Sequence, residues 1–160
     1  MPASLVTRLA SLAVALVATG SAWAFDPSST SAVNLEPGGI GLKGYDPVAY
    51  FAAGAPTPGS PEITATYGDV TYRFADEANR TAFAASPQRY LPAYGGFCAL
   101  AMSFGKKVDI DPMAWKIVDD VLYVQANPHA AEVWERDIPA NIDKADGFWP
   151  DVMDRAPGDL

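Results

Sequence analysis

From Leu42 onward, X-Pro pairs punctuate this chain, and Asp46-Pro47, Ser86-Pro87, Asp111-Pro112 and Asn127-Pro128 stand out among them. Each pair places a helix-capping oxygen ahead of a residue whose fixed φ suits the first helical turn, so each reads as a helix start. Asp46 opens PVAYFAA (47–53), which Gly54 stops, and the loop APTPGSP follows. Ser86 opens PQRYLPAY, Asp111 takes the same capping role, and Asn127 opens the last clear helix, to Asp137, with Val133 and Trp134 facing the core. Asp76 caps EANRTAFAAS (77–86), in which Ala78, Ala82, Phe83 and Ala85 share one face. A chain cut this often is confined to short elements.

Between these starts lie two stretches rich in β-branched and aromatic residues. ITATYGDVTYRF (63–74) predicts a β-hairpin about Gly68-Asp69, and WKIVDDVLYVQ (115–125) a second about Asp119-Asp120. After Gly95-Gly96, FCALAMSF predicts two helical turns ended by Gly105. The tail from Ala145 is expected to dock Phe148 and Trp149 and then fray over 151–160. No internal repeat and no domain linker is read from the chain. The fold class is α+β: one small domain of two short β-hairpins interleaved with short helices.

Residues 1–24 are read as a secretory signal peptide: Arg8, the apolar run Leu9 to Val17, and the small-x-small pattern Ala22-Trp23-Ala24. The apolar run falls short of the ~20 residues a bilayer-spanning helix needs. Cleavage after Ala24 would leave a mature chain with no membrane span, exported to the periplasm of a Gram-negative cell. Phe25 to Gly41, rich in Ser, Pro and Gly, reads as a flexible arm ahead of the domain at 42–150. With Arg8 removed, ten Lys and Arg face nineteen Asp and Glu. So acidic a surface repels phosphate backbones, which argues against nucleic acid as a partner.

The one cysteine, Cys98, cannot form an internal disulfide, so the fold stands on packing. In the first turn of a helix its thiol would meet free backbone N–H groups that favour the thiolate. Tyr94, Gly95 and Gly96 would then form a pocket or an anion-facing turn beside it. The competing reading is a small buried hydrophobe. As a metal site, Cys98 would be joined by Met102 and His129, with Met113 a further thioether, and copper or another soft ion is the fitting cofactor. No CxxC, HxxxH or HExxH spacing exists for a closed zinc site. Asp109 and Asp111 could pair as carboxylates, although Asp111 already has a capping role. Tyr45, Tyr50, Tyr90 and Tyr94 could line a pocket or simply pack. No phosphate loop, serine elbow or nucleotide fingerprint is present.

KGYDPVAYF (43–51), YGDVTYRF (67–74), ANRTAFAASPQRYLPAYGGFCALAM (78–102) and DPMAWKIVDDVLYV (111–124), in that order, resemble the exported single-domain YHS-domain proteins of bacteria, over about residues 42 to 150. The resemblance implies a short α+β, treble-clef-like module with metal-handling relatives. In the exported branch, selenocysteine can replace the cysteine of the YGG[FY]C segment, here Cys98, and this implies a chemically active thiol. The chain lacks the several cysteines of the metal-binding relatives, and it has Asp119-Asp120 where an Asp-Gly turn is usual. The expected function is soft-metal binding or reversible thiol redox chemistry at Cys98, with an external thiol or protein partner. The alternative is a non-catalytic binding module with Cys98 in its core.

Overall fold

A computed structural model describes residues 25–160, so the expected signal peptide at 1–24 lies outside the described residues. The fold is α+β. Strands β1 (Leu35–Glu36), β2 (Ile40–Gly41), β3 (Ser60–Tyr67) and β4 (Val70–Phe74) form one sheet in the order β1-β2-β4-β3, while β5 (Asp111–Val118) and β6 (Val121–Gln125) form a second. The helices are α1 (Ala49–Ala52), α2 (Glu77–Ala85), α3 (Pro87–Tyr90), α4 (Ala99–Met102), α5 (Pro128–Glu135) and α6 (Ile138–Val152). No helix among the described residues is long and apolar enough to cross a membrane. Both predicted hairpins form about the predicted turns. Gly68 and Asp69, and likewise Asp119 and Asp120, adopt positive φ, the twist that suits a two-residue hairpin.

Contrary to the sequence reading, the chain repeats itself. A turn with three successive positive φ values (Leu42, Lys43, Gly44) leads into α1, a hairpin and the capped helix α2. A second such turn (Tyr94, Gly95, Gly96) leads into α4, a hairpin and the capped helix α5. Both hairpins break register at the same place, between Ser60 and Thr64 and between Asp111 and Trp115. Pro61 and Pro112 sit in those breaks, where a missing N–H costs no ladder bond. Asp111-Pro112 therefore starts a strand instead of capping a helix. The cores correspond as well. Phe83 lies 5.1 Å from the Tyr72 ring, and Trp134 lies 5.1 Å from the Tyr123 ring. Identical residues recur 51 positions apart (61 and 112, 69 and 120, 70 and 121, 72 and 123, 75 and 126), too few to mark a repeat in the sequence alone.

Asp76 and Asn127 cap α2 and α5 as expected, accepting from Asn79 N at 2.8 Å and Ala130 N at 2.9 Å. Ser86 precedes α3 without a side-chain cap bond, and α3 ends at Tyr90. On α2 only Phe83 is buried, and Ala78 and Ala85 are exposed. FCALAMSF yields a single turn, α4, before Gly105 at positive φ.

The two ends of the domain also differ from expectation. The longest helix, α6, starts just past the helix expected to end at Asp137 and runs on into the stretch from Ala145 read as a docking tail. Asp137 caps it, and Ala145, Trp149 and Val152 turn to the core at helical spacing. The tail beyond it is fixed: Ala156 is buried, and Gly158 N donates to Pro27 O at 2.8 Å. The segment read as a flexible arm, 25–41, contributes β1 and β2 and is tied to the body at Asn34, whose N–H donates to Gly95 O at 2.9 Å. Lys107, 3% exposed, donates its ammonium to the carbonyls of Ser31, Met153 and Arg155. One buried cation thus ties the arm to the segment after α6 through carbonyls, with no carboxylate in salt-bridge contact among the described residues.

Candidate functional site

Cys98 is the residue just before α4 and is 2% exposed. Its thiol donates to Gln125 Oε1 at 3.5 Å. Burial pushes the thiol pKa up; the N–H groups of Ala101, Ala126 and Leu100 pull it down but do not overcome the burial. The expected lowering of the pKa at a helix start is therefore reversed. The amides do face the sulfur, but α4 is a single turn and the cost of charging a group inside the core is the larger effect.

The equivalent position in the first half is Asp46, which is fully buried. Its Oδ1 accepts from the N–H groups of Val48 and Ala49, at 2.8 and 3.2 Å, and its Oδ2 from Ala75 N and Asn79 Nδ2, at 2.8 and 2.7 Å. Val48, Ala49 and Ala75 correspond to Leu100, Ala101 and Ala126. The backbone N–H groups of residues 46 and 98 also match, donating to Thr57 O at 2.9 Å and Val108 O at 3.0 Å. Both side chains are buried hubs that join a turn, a short helix and the end of a hairpin.

The turn at 94–96 serves the fold more than a ligand. A Cβ on Gly95 would stand 1.9 Å from the carbonyl oxygen of Ala32, so glycine is required by the arm crossing it. Gly95 and Gly96 present carbonyls to Asn34, the second accepting from Asn34 Nδ2 at 3.3 Å. The Tyr94 hydroxyl donates to Asp146 Oδ1 on α6 at 2.9 Å, and burial with that hydrogen bond raises its pKa far above the usual phenol range.

The remaining candidates do not converge. Met102 is fully buried in a hydrophobic cluster separate from that of Cys98. The His129 side chain is 79% exposed, with Nδ1 4.0 Å from Glu132 Oε2, and Met113 is 61% exposed. These residues do not fit a shared soft-metal site, and among the described residues no three His, Cys, Asp or Glu side chains gather to hold an ion. Asp109 and Asp111 have different partners. Asp109 accepts from Lys43 Nζ at 2.7 Å and from Asn34 Nδ2 at 3.0 Å, while Asp111 accepts from Met113 N at 2.9 Å. Tyr50 is buried with its hydroxyl donating to Pro112 O at 3.0 Å, Tyr90 packs edge-on against Phe51, and Tyr45 packs beside the cluster that holds Cys98.

A cleft of about 420 Å³ opens where sequence reasoning had placed only a loose arm. Phe25, Val33, Leu35 and Phe97 give it apolar walls; Asp26 and Glu36 bring carboxylates to it. The Phe25 ring meets Phe97 edge-on, with centroids 6.4 Å apart. Glu36 Oε1 accepts from Lys43 Nζ at 2.8 Å, while Asp26 Oδ1 accepts from Ser28; the second oxygen of each carboxylate has no protein donor among the described residues. The sequence offered two aromatic residues, Phe25 at the start of the arm and Phe97 after the Gly-Gly turn, but pairing them needs the fold. Searches of protein-family models, curated proteins and solved structures gave no match to the chain.

Proposed function

We propose that this is an exported, periplasmic binding module of the YHS-domain type, whose ligand is an apolar molecule carrying an amine, held in the cleft between the arm and Phe97. The cleft carries this reading: apolar walls for the body of the ligand, and two carboxylates with spare acceptor oxygens for its cationic end. The acidic balance of the chain points the same way, since it draws cations and repels anions. Cys98 acts in this reading as a buried hub of the scaffold and not as a ligand to metal.

The test is a thermal-shift titration of residues 25–160 with hexylamine, hexanol and hexanoate, repeated on Phe25→Ala and Asp26→Asn. A ligand at a hundred times its Kd stabilises the folded state by about 2.7 kcal/mol. The amine should raise the midpoint most and hexanoate least. Phe25→Ala should remove the effect, and Asp26→Asn should reduce the difference between amine and alcohol. Equal responses to all three compounds, or an unchanged response in Phe25→Ala, would sink the proposal.

A further inference from the structure

Asp46 and Cys98 occupy one position in two copies of the same unit, yet the second copy carries more donors than its acceptor can use. In the first copy, a carboxylate with two oxygens takes three backbone N–H groups and the Asn79 amide. In the second, a single sulfur faces the N–H groups of Leu100, Ala101 and Ala126. Leu100 N instead donates to Gln125 Oε1, at 2.9 Å. Gln125 stands where the first copy has Phe74, is 1% exposed, and its Nε2 is buried with no acceptor. The amide cannot simply turn over to relieve Nε2, because that would strip Leu100 of its partner.

We infer that Cys98 is a site of oxidation by hydroperoxides to the sulfinate, whose two oxygens take the place that the Asp46 carboxylate fills in the first copy. The sulfur attacks one oxygen of hydrogen peroxide and the O–O bond breaks; the other oxygen leaves with the thiol proton as water, giving the sulfenic acid. A second hydrogen peroxide reacts in the same way, and the sulfinic acid ionises by releasing its proton to solvent. Two peroxides are reduced and the sulfur loses four electrons. No second cysteine exists to divert the sulfenic acid into an internal disulfide. Once a sulfinate oxygen is present, Leu100 N–H donates to it, as Val48 N–H does to Asp46. The Gln125 amide is then free to turn, and Nε2 donates to the other oxygen, the part Asn79 plays in the first copy. Cys98 is 2% exposed, so the reaction waits on opening of its cover and is slow.

Residues 25–160 are treated with hydrogen peroxide and followed by peptide mass mapping and thermal melting, with Cys98→Ala treated in parallel to account for methionine oxidation. Cys98 should gain two oxygens, about 32 Da, and stop there. The oxidised protein should melt at or above the temperature of the untreated one, and Cys98→Asp should melt above Cys98→Ala. The inference is overturned if Cys98 stays unmodified in the folded protein after Met113 has become the sulfoxide, if its oxidation abolishes the cooperative transition, or if Cys98→Asp is less stable than Cys98→Ala. Should neither variant fold, the peroxide-treated wild type decides alone. The cleft plays no part in this chemistry, so failure of the ligand titration leaves it standing.

Discussion

Replacing Gly95 by alanine tests whether the Gly-Gly turn exists to seat the arm, and the structure supplies its own control. Gly54 has φ +63° and Gly95 has φ +61°, so alanine meets almost the same backbone strain at both. At Gly54 a new Cβ finds nothing within 4 Å. There the cost is the left-handed conformation alone, ~1–2 kcal/mol, less the ~0.4–1 kcal/mol that a stiffer unfolded chain returns. At Gly95 the new Cβ would lie 1.9 Å from Ala32 O, 2.9 Å from Ala32 C and 3.1 Å from Val33 Cα, all backbone atoms that no rotamer change can move. The arm must lift. Three hydrogen bonds of Asn34 go with it, to Gly95 O, Gly96 O and Asp109 Oδ1, each worth ~1 kcal/mol net. Gly95→Ala should therefore cost ~3–4 kcal/mol against ~1 for Gly54→Ala, read from urea unfolding midpoints at equal slope. Amide exchange at Asn34 should accelerate only in Gly95→Ala. A pair of costs within ~0.5 kcal/mol of each other would refute the argument, because the clash would then have been absorbed without moving the arm.

Asp46→Asn should destabilise the domain by ~2–4 kcal/mol, since an amide nitrogen then faces donors that now meet a carboxylate; a loss under ~1 kcal/mol by urea unfolding would contradict the hub assignment. Alkylation of Cys98 by iodoacetamide should be slow in the native state, with a pH profile displaced above that of a free thiol, because burial raises its pKa; rapid reaction at neutral pH would refute this. Burial raises Tyr72 to about 12 and takes Tyr50 and Tyr94 higher still. In the unfolded chain these phenols ionise near ~10. The folded state then holds the extra protons, so stability is full below that pH and falls as pH rises toward 12. Tyrosinate absorbance and circular dichroism should change together in that window; ionisation of all seven tyrosines with the fold intact would count against the burial.

Hairpins and helix caps were legible because they are local. The turns at 68–69 and 119–120 and the caps at Asp76 and Asn127 involve partners within a few residues, and residue type alone specifies them. Asp111-Pro112 misled for the same reason. Its local pattern is that of a helix start, but pairing of Asp111 with Gln125 makes it a strand end. Helix α6 carries readable signals, an Asp137 cap and apolar residues at helical spacing, together with Gly147 and Pro150, which are poor helix formers. The candidate thiol was legible as a singular residue and its chemistry was not. Whether a cysteine is a thiolate or a packed thiol depends on burial in a core that Gln125, far along the chain, helps to close, set against the amides of Leu100, Ala101 and Ala126 that face it.

Sequence by itself determined the fold class, the two hairpins, the helices capped by Asp76 and Asn127 and the singular position of Cys98, since propensity, capping and turn chemistry act over short stretches. Tertiary structure alone decided that the arm belongs to the body, that Gly95 is glycine because Ala32 lies against it, and that Cys98 stands where the other half has Asp46. Those facts depend on which distant segments meet, and on at least one side of most of these contacts stands a backbone group that every residue carries alike. Residue identity therefore leaves little trace of them.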